Sequence, residues 1–131
     1  MSRSRWFLVP VLSAIVPILL LAAGLATGAA DVTKVRSTVT IKSGEGAEFT
    51  GKVSAAQKRC RSGRKVKLFM EPYSGGADEL VGTAKTNASG AWKMEGSFLA
   101  GIYHAQVTAA TVHAGNDTLR CQVDVSVSAR F

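Results

Sequence analysis

Residues 86–107 read TNASGAWKMEGSFLAGIYHAQV and combine a turn signal, one tryptophan and one tyrosine. Trp92 and Met94 alternate with Lys93 and Glu95, while Tyr103, Ala105 and Val107 alternate with His104, Gln106 and Thr108. An apolar residue at every second position marks a strand with one buried face, because successive side chains leave a pleated strand on opposite sides. NASG stands between VGTAKT and AWKM, and its Asn and Gly tolerate positive φ, so the spacing predicts a β-hairpin there. Trp92 then faces inward and fills a core rather than a ligand site.

The same period runs outward from this stretch. Val35, Val39 and Ile41 oppose Arg36, Thr38, Thr40 and Lys42, and Phe49 and Val53 share a face with Gly51 between them. Val66, Leu68 and Met70 alternate with Lys65, Lys67 and Phe69. In RCQVDVSVS, residues 120–128, Cys121, Val123, Val125 and Val127 oppose Gln122, Asp124, Ser126 and Ser128, which predicts inward valines. ELVGTAK, residues 79–85, is a weaker strand whose buried face the pattern does not choose. Turn-rich clusters (SGEG, RSG, EPYSGGAD, TNASG, FLAG, HAGND) separate these runs, and no stretch keeps a helical period over three turns. The expectation is an all-β fold, a single antiparallel β-sandwich of about seven strands.

Upstream of these strands, SRSR at residues 2–5 precedes an apolar run from Trp6 to about Leu25, followed by GLATGAA. A charged start, an apolar middle and small residues before a polar sequence make a secretory signal peptide over residues 1–30, with cleavage after Ala30 or Ala29. The alternative is an uncleaved membrane anchor, since the run is long enough to span a bilayer, although Pro10 and Pro17 interrupt it. No Cys lies near its end to take a lipid. Residues 31–131 then form one small domain of ordinary size. Two of the 16 Lys and Arg leave with the signal, so 14 cations against 9 acids give the exported part a charge of +5. That excess favours acidic surfaces without naming one.

Both cysteines, Cys60 and Cys121, lie in the exported part. An even count in an oxidising compartment reads as one disulfide, and the C-x-x-C spacing of a redox pair is absent.

The segments FTGKVS, CRSGRKVKLF, VGTAKTNASGAW and GIYHAQV follow the order G-x-V, C…R-x-V-x-L, G-x-x-x-T-x-x-x-G-x-W and G-x-Y-x-A-x-V. Over residues 48–128 the chain resembles the carboxypeptidase-regulatory-like, or transthyretin-like, Ig-type β-sandwich modules of secreted bacterial proteins. It is most similar to small exported actinobacterial forms with one Cys before the R-x-V-x-L strand and one near the C-terminus. The resemblance implies an Ig-like fold and no catalytic residues, because these motifs mark turns and core positions.

The search for chemistry is consistent with that implication. His104 and His113 are the two histidines; the first alternates outward and the second falls in or near a turn. The acids are scattered and build no D-x-D-x-D-G loop, and G-x-S-x-G and H-E-x-x-H do not occur. No catalytic residue, metal site or cofactor is expected. Asn87 and Asn116 head N-x-[ST] triplets, acceptors in a eukaryotic secretory path and simple turn residues in a bacterium.

One feature is dense: KRCRSGRKVK, residues 58–67, which places Lys58, Arg59, Arg61, Arg64, Lys65 and Lys67 around Cys60. It reads as a patch for an anionic envelope polymer or, alternatively, as a solvated strand edge. Base stacking is not expected, since Phe69 alone is nearby and outward. Three function classes follow. A non-catalytic structural or adhesive envelope module, partnered by a polymer or another surface protein, stands first. A polyanion- or glycan-binding protein comes next, and an enzyme or inhibitor last.

Overall fold

The computed structural model describes residues 31–131, so the signal-peptide or anchor segment lies outside the described residues. The described chain is all-β, and none of its helices is long and apolar enough to cross a membrane. Its strands are β1 (Val32–Val35), β2 (Ser37–Val39), β3 (Lys42–Ser43), β4 (Glu48–Ala55), β5 (Lys65–Glu71) and β6 (Glu79–Lys85). They continue as β7 (Ala91–Glu95), β8 (Ile102–Val107), β9 (Ala110–Ala114), β10 (Asp117–Cys121), β11 (Asp124–Val125) and β12 (Ala129–Arg130), with one 3₁₀ turn at Lys58–Cys60.

These short strands form three sheets, the first two packed face to face as a sandwich around the main core, where about seven strands were expected. In the first, β4 lies between β7 on one side and β2 and β3 on the other. The second runs β6-β5-β8, with β11 and β12 both pairing the far side of β8. The third is β1-β10-β9, in which β1 runs parallel to β10. Three extended segments are broken to make it. Arg36 separates β1 from β2, residues 108–109 separate β8 from β9, and residues 122–123 separate β10 from β11.

The main core lies between the first two sheets and contains Val39, Phe49, Val53, Val66, Leu68, Trp92, Tyr103, Ala105 and Val107. Met70 and Met94 are half-buried and pack against it. Each of these apolar positions alternates with an exposed or half-buried one along its strand, as the period required. Gly51 has a specific duty here. A Cβ at this position would collide with the Thr40 carbonyl and stand 2.5 Å from Trp92 Nε1, so only glycine lets the indole settle across β4. A smaller cluster of Val35, Cys60, Leu119 and Cys121 lies beneath the third sheet.

Cys60 and Cys121 are bonded, with Cα atoms 5.4 Å apart, tying the 3₁₀ turn to the end of β10. The bridge closes a loop with a sequence separation of 61. Replacing both cysteines by Ala should cost roughly 4 kcal/mol by the chain-entropy model. Chemical denaturation of the double variant beside the parent measures this; an unchanged midpoint would show that the bridge constrains nothing.

Two expectations are corrected. Val123 and Val125, expected in the core, are 51% and 53% exposed, and Val127 is 80% exposed. After Cys121 the chain leaves the third sheet for the edge of the second, and the break resets which side faces in. β11 pairs Val125 opposite outward-facing Gln106 and Asp124 opposite buried Val107. The polar side chains take the inner positions because they complete the edge. Asp124 Oδ2 accepts from the Val39 N–H at 2.8 Å, and Ser126 Oγ accepts from the Ala105 N–H at 2.8 Å.

The second correction concerns TNASG. Its turn chemistry is as expected: Gly90 has φ +90°, its N–H donates to the Asn87 carbonyl, and Asn87 Oδ1 accepts from the Ser89 and Ala91 N–H groups. The turn does not close a hairpin. It joins β6 of the second sheet to β7 of the first and is an arch across the open side of the sandwich.

Candidate functional site

The cations of the 58–67 run divide into four groups. Lys58 and Arg59 are exposed on the 3₁₀ turn, where Arg59 Nη1 donates to the His113 carbonyl at 2.6 Å. Arg61 is half-buried against the arch, and its Nε finds no partner. Lys65 is exposed and Lys67 half-buried on the outer face of the second sheet. Arg64 leaves the patch altogether.

Arg64 is 1% exposed, a correction to its assignment as a surface cation. Its Nη1 donates to Ser37 Oγ at 2.9 Å and to the Cys60 carbonyl at 2.6 Å. Its Nη2 donates to the carbonyls of Thr108 at 2.7 Å and Gln122 at 3.1 Å. Three of these acceptors lie at the three strand breaks. The guanidinium supplies the donors that a continuous ladder would have supplied, and its planar fork suits several carbonyls at once. No carboxylate lies within ion-pairing distance among the described residues. Burial lowers its pKa from the ordinary value, yet an arginine remains charged at physiological pH. Thr86, also buried, locks the same loop: its hydroxyl donates to the Arg61 carbonyl and accepts from the Arg64 N–H.

The cations that do converge come from elsewhere in the chain. Lys42, Lys52, Lys85 and Lys93 line a groove of about 730 Å³ together with Thr40, Thr50, Asn87 and the edge of Trp92. Strand register places them: Thr50 pairs with Lys42 on one side and Lys93 on the other, and Lys52 follows two residues along β4. Lys85, at the end of β6, enters from the second sheet beside the arch. No acid lines the groove. Lys93 is bridged by Glu48 at 3.4 Å and Glu95 at 2.8 Å, which raise its pKa and lower that of Glu95. Among the described residues the other three lysines have no carboxylate within ion-pairing distance.

The groove does not offer an aromatic platform. Trp92 is 3% exposed and its Nε1 donates to the Thr40 carbonyl at 3.2 Å, so its face is committed to the core. What the groove presents is positive charge with a few hydroxyl and amide groups.

A second constellation surrounds His104. Its ring stacks on Phe69 with centroids 5.4 Å apart; Nδ1 is 3.5 Å from Glu71 Oε1 and Nε2 is 3.5 Å from Asp78 Oδ2. Both ring nitrogens therefore face carboxylates on opposite sides, and neither faces a hydroxyl that it could activate. Ser128, the nearby hydroxyl, donates to Glu71 instead. The arrangement ties β8 to the end of β5 and the loop that follows it. His113 is exposed on β9 with its Nδ1 3.4 Å from Thr118 Oγ1. No group of three His, Cys, Asp or Glu able to hold a metal occurs among the described residues.

Sequence reasoning found the contiguous cations and missed the groove, because Lys42, Lys52, Lys85 and Lys93 come from four strands. The usable signal was that Lys42, Lys52 and Lys93 lie on the polar side of their alternations, while Lys85 stands in a run whose face was not chosen; the pairing that gathers them was not readable.

No family model matches the chain, and no curated protein matches it. Among solved structures it is similar to a tetra-tandem repeat in the extending region of a large adhesion protein, with 14% identity and a TM-score of 0.40. The match covers 74% of this chain and 24% of that one, so this chain spans about a quarter of that protein's length.

Proposed function

We propose that the chain is a non-catalytic exported β-domain that serves as a structural or adhesive module by holding anionic polymers of a cell envelope. The observation that carries this reading is the groove: four lysines from separate strands converge on it, and three of them, Lys42, Lys52 and Lys85, have no carboxylate within ion-pairing distance among the described residues. Lys65 and Lys85 point the same way, since they are direct cross-strand partners. Like charges directly opposite destabilise a sheet, and a bound polyanion relieves that repulsion.

Export is supported by the disulfide, which belongs to an oxidising compartment, together with the leader-like start of the chain. An Ig-type module is supported by Tyr103, whose hydroxyl donates to the Leu99 carbonyl at 2.5 Å in the manner of a tyrosine corner.

The test is association of the parent and a Lys42→Ser/Lys52→Ser/Lys85→Ser variant with an anionic envelope polymer. Parent binding should fall roughly ten- to a hundredfold between about 50 and 200 mM salt, as for a few neutralised phosphates. The variant should lose most of its binding at low salt. A parent that does not bind sinks the proposal, as does a variant that binds like the parent.

A further inference from the structure

Along β4 to β7 the charges are sorted by position. The arch end carries Lys52, Lys65, Lys85 and the Lys58–Arg61 turn; the opposite ends of the same strands carry Glu48, Glu71, Glu79 and Glu95, with Asp78 beside them. The β6 and β7 edges also meet at the open side of the sandwich without pairing. Gly82 of β6 lies so close to Met94 of β7 that a Cβ would stand 2.7 Å from its Sδ. Lys85 sits on this rim and belongs to both faces: it is the register partner of Lys65 on the outer second sheet, and it lines the first-sheet groove with Lys42, Lys52 and Lys93.

Resting on the polyanion reading above, we infer that the ligand is a linear polyanion that wraps the arch side of the sandwich, crossing from the first-sheet groove over Lys85 to Lys65 and Lys67. A small anion can satisfy one wall. A chain with repeating charge engages both, and the acidic ends of the strands keep it from lying lengthwise. With strands about 4.8 Å and sheets about 10 Å apart, the path is roughly 25–30 Å long. Binding along it is multivalent, so affinity grows with polymer length until the path is filled. The committed indole leaves the recognition to charge spacing, without base or ring stacking.

Inorganic polyphosphate supplies the probe: tripolyphosphate against a long chain, at equal phosphate concentration, with parent, Lys85→Ser and Lys34→Ser proteins. The parent should bind the long chain at least about tenfold tighter per phosphate than tripolyphosphate. Lys85→Ser should remove most of that advantage, and Lys34→Ser, off the path on β1, should keep it. Equal affinity for both probes overturns the wrapping path and leaves the polyanion reading standing, as does a Lys85→Ser protein that keeps the full advantage. If neither probe binds, both fall. If copies associate basic end to acidic end without polymer, seen as salt-sensitive oligomers in sedimentation, the basic end belongs to a second copy and both also fall.

Discussion

Arg64→Ala should cost about 5 kcal/mol, enough to unfold much of the population of an ordinary small domain. The expectation follows from counting acceptors. The side chain satisfies Ser37 Oγ and the carbonyls of Cys60, Thr108 and Gln122. Each buried acceptor left without a donor costs about 1–3 kcal/mol, and a cavity is added where the guanidinium stood. The charge itself is a debit, since burial disfavours it and Nε has no partner. Arg64→Lys should therefore recover less than half of the loss, because one ammonium cannot fork toward acceptors on several strands. Urea denaturation of the disulfide-intact proteins reads both values. A loss under about 1 kcal/mol for Arg64→Ala would mean that water replaces the guanidinium and that Arg64 does not hold the junction.

Trp92→Ala should cost a comparable amount, about 5 kcal/mol, at the upper end of the range for buried aromatics. The indole is buried beside Phe49, Val53 and Leu68 in the main core, and its removal also strips the Thr40 carbonyl of its Nε1 donor. Gly51→Ala provides a second reading of the same contact from the other side. Its Cβ has no room against the Thr40 carbonyl and the indole ring, so it too should destabilise strongly. Thermal unfolding of both variants checks this. A Trp92→Ala protein of parental stability that has lost polymer binding would move the residue from the core to the site.

The alternation along each run was enough to identify β4, β5, β7 and β8, the buried face of each and the turn at NASG, whereas β9 went unread and the runs at 35–42 and 120–128 were each taken as one strand. These are local properties: a two-residue period decides which side chains share a face, and Asn and Gly decide where the backbone can reverse. Phe49, Val53, Val66, Leu68, Trp92, Tyr103 and Val107 are buried because their own strands alternate. The disulfide was equally legible, since two cysteines leave only one pairing.

Which strand lies beside which was not legible, because partner choice is made at long sequence separation and leaves no mark on the local pattern. A tight turn at residues 86–90 serves a hairpin or an arch alike; only the pairing of β6 with β5 and β7 with β4 made it an arch. The valines after Cys121 kept their period and still faced out, because the break at residues 122–123 reset the register and Asp124 and Ser126 were needed inside as edge acceptors. Arg64 reads in sequence as one cation among six, and the tertiary structure buries it because two strand breaks and the 3₁₀ turn bring the carbonyls of Thr108, Gln122 and Cys60 to one point beside the Ser37 hydroxyl. Lys42, Lys52 and Lys93 were exposed by local pattern, but their convergence with Lys85 is a property of the sheets. A side chain's face is set by its neighbours in the chain, whereas its companions are set by strands that only folding brings together.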